Sequence, residues 1–215
     1  MSNNSSTNTV SLCQSIHQDL DALWSTIRTE ATEQAEKEPA LSKLLHEVIL
    51  DRDSLASSLS ARLSRKLARE DMSKEELLPL LESIFSENEN ILLSAASDMT
   101  AIYTRDPACQ SMIEPMLFFK GFMAITVYRV SHYLWAMNRR ALACYFQSIS
   151  SEIFGVDIHP GARIGCGILL DHATSIVVGE TAIVEDNVSI LHEVTLGGTG
   201  KQKGARHPIV RTGVL

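Results

Sequence analysis

An aspartate next to a histidine, Asp171-His172, is the pair in this chain best suited to acid–base chemistry. A free imidazole titrates near pH 6.5, and a neighbouring carboxylate favours its charged form and can fix its orientation. On spacing alone two readings stay open: His172 is a general base, or it is a surface histidine. Arg206-His207-Pro208 is a second candidate, because a guanidinium forks onto a carboxylate. Between them, Gly197-Gly198-Thr199-Gly200-Lys201-Gln202-Lys203-Gly204 is a glycine-rich, partly basic stretch. Its N–H groups could meet an anion or a carbonyl, but a plain surface excursion is the favoured reading on sequence alone. It lacks the spacing of a phosphate loop. Asp157 precedes Ile158-His159-Pro160, and Asp106 sits in Thr104-Arg105-Asp106-Pro107, a turn where aspartate is common for local reasons.

The element that must hold most of these residues is a repeat. Ile158, Ile164, Leu170, Ile176, Ala182, Val188 and Val194 are spaced by six and all apolar. A second comb, two residues on, is apolar at Val178, Val184, Ile190 and Leu196. Such a period predicts a parallel β-helix with one hexapeptide per flat side. The comb slips by two residues across Asp171-His172, which predicts a bulge there. Barely three coils precede Leu215, so the sequence reads as truncated. An unclosed coil predicts that the stretch from about Gly197 is poorly ordered unless another chain covers it.

Before the repeat the period is helical. Residues 1–10 are polar and expected to be disordered. Apolar stripes follow at Leu12 to Ile27, at Leu41 to Ile49, and at Leu55, Leu59, Leu63 and Leu67. Ser73 with Glu76 predicts a capping box opening a helix that Pro79 bends. A further helix should stop before Pro107. Residues 112–136, rich in aromatics from Phe118 to Trp135, read as core, and a last helix runs to about Ile153. His17, His46, His132 and His192 read as packed or solvated. The fold class is therefore α+β: residues 11–154 helical, residues 155–215 an incomplete β-helix.

The chain has 215 residues and a net charge of -7. No basic stripe suggests nucleic acid. No apolar run reaches the roughly 20 residues of a membrane span. Four cysteines, Cys13, Cys109, Cys144 and Cys166, lack C-x-x-C spacing and fit a reducing cytosol. A cytoplasmic protein is expected.

Several short motifs follow one another along the chain. They are Thr104-Arg105-Asp106-Pro107-Ala108, Lys120-Gly121-Phe122, Val156-Asp157-Ile158-His159-Pro160, Leu170-Asp171-His172-Ala173-Thr174, Val178-Gly179-Glu180-Thr181, Val194 through Lys201, and Arg206-His207-Pro208. Together they resemble bacterial serine O-acetyltransferases, over about residues 15–215. That resemblance implies a left-handed β-helix and transfer of acetyl from acetyl-CoA to L-serine, without a metal. It implies His172 as general base, Asp157 holding its imidazole, Asp106 and Asp171 on the serine ammonium, and Arg206 and His207 on its carboxylate. Gly198 would lie near the thioester of acetyl-CoA. It further implies trimers doubled to a hexamer, sites between subunits, and cysteine as feedback inhibitor. A C-terminal tail, absent here, would bind O-acetylserine sulfhydrylase. Met123 stands where the family often has His, and Ser175 where Gly is usual. Two other functions compete: acetyl transfer to another hydroxyl acceptor such as a sugar, and a non-catalytic fragment that only oligomerises.

Overall fold

The computed structural model describes residues 20–200 and 204–215. Expectations for residues 1–19, including the disordered start and the first part of the opening stripe, lie outside these. Among the described residues eight α-helices come first: α1 (Leu20–Lys37), α2 (Pro39–Leu45), α3 (Leu55–Leu67), α4 (Lys74–Glu87), α5 (Glu89–Arg105), α6 (Ile113–Phe118), α7 (Lys120–Ala136) and α8 (Arg140–Phe154). A π-helical turn, His46–Leu50, extends α2. No helix among the described residues is long and apolar enough to cross a membrane.

Local chemistry sets the boundaries. Pro39 is the first residue of α2, where its fixed φ suits a helix start and its missing N–H costs nothing. The Ser73–Glu76 capping box forms in full at α4, and Pro79 lies inside that helix. α5 ends at Arg105, with Asp106 capping it in an extended conformation ahead of Pro107. Residues 112–136 divide into α6 and α7. Most of that aromatic run is core, but Phe118 is 54% exposed, because α6 ends there and turns the ring outward. Gly155, at φ 66°, closes α8 in the left-handed conformation that glycine tolerates and turns the chain into the first strand.

Eight short strands follow: β1 (Val156–Ile158), β2 (Arg163–Ile164), β3 (Leu169–Leu170), β4 (Ile176–Val178), β5 (Ile183–Val184), β6 (Ser189–Ile190), β7 (Thr195–Leu196) and β8 (Ile209–Val210). They fill three parallel sheets in rotation, ordered β1-β4-β7, β2-β5-β8 and β3-β6. Every third strand pairs with its predecessor, so each turn of the chain stacks on the one before.

The register explains the slip in the comb. Val177 pairs with Thr195, eighteen residues on, or three hexapeptides. Leu170 pairs with Ile190, twenty residues on, so two extra residues lie between β3 and β4. Ser175 and Glu193 occupy equivalent corners and are both left-handed, at φ 60° and 61°. The extra residues are therefore His172 and Ala173, also left-handed at φ 52° and 58°. Ile183 pairs with Ile209, twenty-six residues on, and the surplus of eight is the glycine-rich loop.

Past that loop the sequence expectation fails. Residues 204–215 are not left unformed: β8 pairs with β5, and Ser189 N–H donates to the Val214 carbonyl. Backbone pairing to the coil below supplies what an unclosed coil was expected to lack.

The core is continuous from Ile27 on α1 to Leu196 on β7. α7 joins the helices to the strands. Its Tyr128 hydroxyl donates to the Ala162 carbonyl (2.6 Å), and His132 Nδ1 donates to the Pro160 carbonyl (2.7 Å). Arg129 Nη2 reaches the Gly165 carbonyl (2.9 Å) and, with Nε, Asp98 Oδ2 on α5 (2.6 and 3.0 Å). Asp98 is fully buried, and its Oδ1 accepts from Ile168 N–H at 2.8 Å. Gly121 lets the start of α7 approach β3 closely: a Cβ there would lie 2.1 Å from the Leu170 carbonyl oxygen.

Candidate active site

The sequence-predicted residues fall into two groups, at two corners flanking the outer face of the β1-β4-β7 sheet. The first corner lies between β3 and β4. A pocket of about 320 Å³ there is lined by Asp106, Lys120, Asp171 and His172, with Phe118 and Phe119 as apolar wall. Helix α5 delivers Asp106 as its C-cap, with Oδ1 accepting from Ala108 N–H at 2.9 Å. The local turn role and the place in the pocket coexist. Lys120, the first residue of α7, donates from Nζ to Thr174 Oγ1 at 2.6 Å and so fastens the inserted corner.

His172 stands out from that corner with 78% of its side chain exposed. Its Nε2 is 3.9 Å from Asp171 Oδ1, at the long end of ion-pair distance. Left-handed backbone at a non-glycine residue costs of order 1–2 kcal/mol, and such strain concentrates at functional sites. The His192 ring meets His172 edge-on, centroids 6.1 Å apart at 77°. His192 is exposed and packs on that ring, in keeping with its reading as packed or solvated.

The second corner lies between β4 and β5. His207 Nδ1 accepts from Thr181 N–H (3.2 Å) and lies 2.7 Å from Thr181 Oγ1. The backbone donor makes Nδ1 an acceptor, which leaves the proton on Nε2. Arg206 N–H donates to Thr181 Oγ1 (3.1 Å), and its Nη2 donates to Glu180 Oε2 (2.9 Å). That guanidinium holds the Glu180 carboxyl below its usual range. A Cβ on Gly179 would fall 2.0 Å from the His207 ring, so only glycine admits it. Gly198 packs against the same segment, its missing Cβ 2.7 Å from the Arg206 carbonyl oxygen. His159 lies beneath, its Nδ1 accepting from Gly161 N–H at 2.9 Å and Trp135 meeting its ring edge-on. Burial pushes its pKa down, while Glu180 and Asp157 oppose the shift.

Asp157 sits mid-way along β1, on the face between these corners, in line with Val177 and Thr195. Its Oδ1 accepts from Gln147 Nε2 of α8 at 2.7 Å. Within one chain it makes no bond to His172. Lys201 and its two successors lie outside the described residues.

Sequence reasoning gave no role to Lys120, Thr181, Glu180, Gln147 or His192. The first three stand inside the motifs that carry the family resemblance, which was the available signal. Gln147 and His192 carried none.

Residues 23–127 match the family model described as serine acetyltransferase, N-terminal. The chain is 50% identical over 196 residues to probable serine acetyltransferase 4 of Oryza sativa subsp. japonica, covering 91% of this chain and 62% of that protein. It is 50% identical over 193 residues to serine acetyltransferase of Haemophilus influenzae, covering 90% of this chain and 72% of that protein. Among solved structures, the Brucella abortus serine acetyltransferase in complex with coenzyme A superposes with a TM-score of 0.88, at 44% identity, over 92% of this chain and 79% of that one. A serine acetyltransferase in complex with cysteine gives 0.86, at 49% identity, over 87% and 78%. With identity at this level across helices and strands together, the chain belongs to the serine acetyltransferase family.

Proposed function

We propose that this chain transfers acetyl from acetyl-CoA to the hydroxyl of L-serine, giving O-acetylserine and CoA. The observation that carries this reading is the two-residue insertion that pushes His172 into the open beside a pocket walled by Asp106 and Asp171. Two carboxylates suit an ammonium, and a histidine beside them suits a hydroxyl proton. Arg206 and His207, held by Glu180 and Thr181, offer donors for a carboxylate. Ammonium, hydroxyl and carboxylate together describe serine.

His172 takes the hydroxyl proton as the serine oxygen attacks the thioester carbonyl carbon of acetyl-CoA. The tetrahedral intermediate collapses, the C–S bond breaks, and His172 returns its proton to the leaving thiolate. Gly198 N–H would stabilise the developing oxyanion. The cofactor relation rests on the relative solved with coenzyme A. Cysteine carries the same ammonium and carboxylate with a thiol in place of the hydroxyl, so it competes for the site; a relative is solved with it.

The two corners lie at opposite ends of one side of the coil, at least about 10 Å apart for a three-residue strand. One serine is too short to bridge them on a single chain. The proposal therefore includes a ring in which the His172 corner of one copy meets the Arg206 corner of the next, a heterologous contact that closes at three. Asp157 would reach a histidine in that contact. The strand region is proposed as a closed left-handed β-helix over residues 155–215, with residues 11–154 as the helical unit. The helices of two such rings would pair the two trimers into a hexamer. The chain is proposed to work in the cytoplasm. The test is thiol release from acetyl-CoA with L-serine, against sugars and other hydroxyl acceptors. Release that depends on serine supports the reading; release with a sugar alone, or none, overturns it.

A further inference from the structure

A second pocket, of about 450 Å³, lies between α2, α3 and α6, and nothing in the reaction above uses it. Its polar side is Arg62, Arg65 and Lys66 of α3; its apolar side is Leu44, Leu117 and Phe118. In a chain whose net charge is -7, three cations within two helical turns are out of keeping with the rest of the molecule.

The charges are not balanced from within. Glu47 accepts from Arg65 (2.5 Å) and also serves Lys74. Arg62 and Lys66 have no ion-pair partner among the described residues. Arg62 is only 5% exposed. Its Nε donates to the Met116 carbonyl at 3.2 Å, and its Nη2 donates to the Leu117 carbonyl. These carbonyls belong to the last turn of α6, which lacks helical donors, so part of the guanidinium has a structural task. Neutral carbonyls leave its charge uncompensated, and Nη1 makes no hydrogen bond among the described residues. Burial and the neighbouring guanidinium press the Arg62 pKa down, and burial with Arg62 and Arg65 does the same to Lys66. Both shifts mark cations short of an anion.

We propose that this pocket binds a phosphomonoester carrying an apolar or aromatic body. Two uncompensated cations call for two negative charges on one group, which a phosphomonoester carries above its second pKa near 6. Leu44, Leu117 and the exposed Phe118 ring give the body an apolar wall. The chain's own first nineteen residues are no substitute, since Asp19 is their only acid. Phe118 also walls the pocket of Asp106 and His172, so the occupant touches a ring shared with the candidate active site. The proposal does not depend on the acetyl-transfer reading.

The probe is phenyl phosphate, titrated calorimetrically into the whole chain at pH 8. L-serine is present at saturation, so that the candidate serine site is filled, and CoA is left out because it is itself a phosphomonoester beside an aromatic base. Inorganic phosphate and benzoate are the comparison ligands. Saturable binding is expected for phenyl phosphate, weaker binding for inorganic phosphate, and the weakest for benzoate. Lys66→Gln, an exposed position that leaves the Arg62 bonds intact, should weaken phenyl phosphate about tenfold, as loss of one charge-assisted contact does. Phe118→Ala should weaken phenyl phosphate and leave inorganic phosphate unchanged. Absence of saturable binding overturns the proposal. So does an unchanged affinity in Lys66→Gln, or benzoate binding as tightly as phenyl phosphate.

Discussion

Gly121→Ala tests the link between the helical block and the candidate base. The new Cβ would sit 2.1 Å from the Leu170 carbonyl oxygen, 3.0 Å from Leu170 Cβ and 3.1 Å from its carbonyl carbon. A carbon–oxygen contact normally needs about 3.3 Å, so helix and strand must part by about 1 Å. Neither partner is a flexible side chain end. Leu170 directly precedes Asp171-His172, and Lys120 directly precedes Gly121, so the shift moves both sides of the pocket. Overpacking of this kind costs about 1–3 kcal/mol of stability. A displacement of about 1 Å at a reacting group costs on the order of 10²-fold in rate. Denaturant unfolding reads the first and thiol release with L-serine the second. Turnover within about threefold of the parent, with an unchanged unfolding midpoint, would refute the claim that this close approach sets the position of His172.

Three further outcomes are expected. Asp98→Ala leaves Arg129 buried without its anion and Ile168 N–H without an acceptor, so unfolding free energy should drop by about 3–5 kcal/mol; a drop under about 1 kcal/mol would contradict it. Ser175→Gly relieves a left-handed residue with no side-chain hydrogen bond among the described residues, and should raise stability by about 1 kcal/mol; unfolding in urea measures it. Burial lowers the His159 pKa in the folded chain below its unfolded value near 6.5, so the unfolded state binds more protons as pH falls below that value. Stability should therefore decline from pH 7 to pH 5, and His159→Gln should flatten that decline; equal slopes in the two proteins would count against it.

Much of this was legible in the chain because local rules and global packing agree there. The six-residue comb gave the strand phase, the slip marked the insertion, and Ser73 with Glu76 marked a helix start. Ser175 was visible as an oddity, and its positive φ supplies the reason that glycine suits the position. What could not be read depends on distance through space. Nothing in the sequence places Gln147 against Asp157, or His192 beside His172, because those contacts join separate elements. The order of residues 204–215 was misjudged because the pairing of β8 with β5 skips across a loop that disguises the period. The separation of the site into two corners was equally hidden, since it follows from which turns stack above one another.

The central claim is that one active site is built from His172 of one copy and Arg206 of the next. Co-expression of His172→Ala with Arg206→Ala tests it. Each variant alone should show little turnover of acetyl-CoA with L-serine. In random mixed rings, a site needs an intact histidine from one copy and an intact arginine from its neighbour, so about a quarter of sites are whole. The mixture should therefore recover about a quarter of parental activity. No recovery above the separate variants, with mixed rings confirmed by differential tagging, would place the whole site within a single chain and contradict the account.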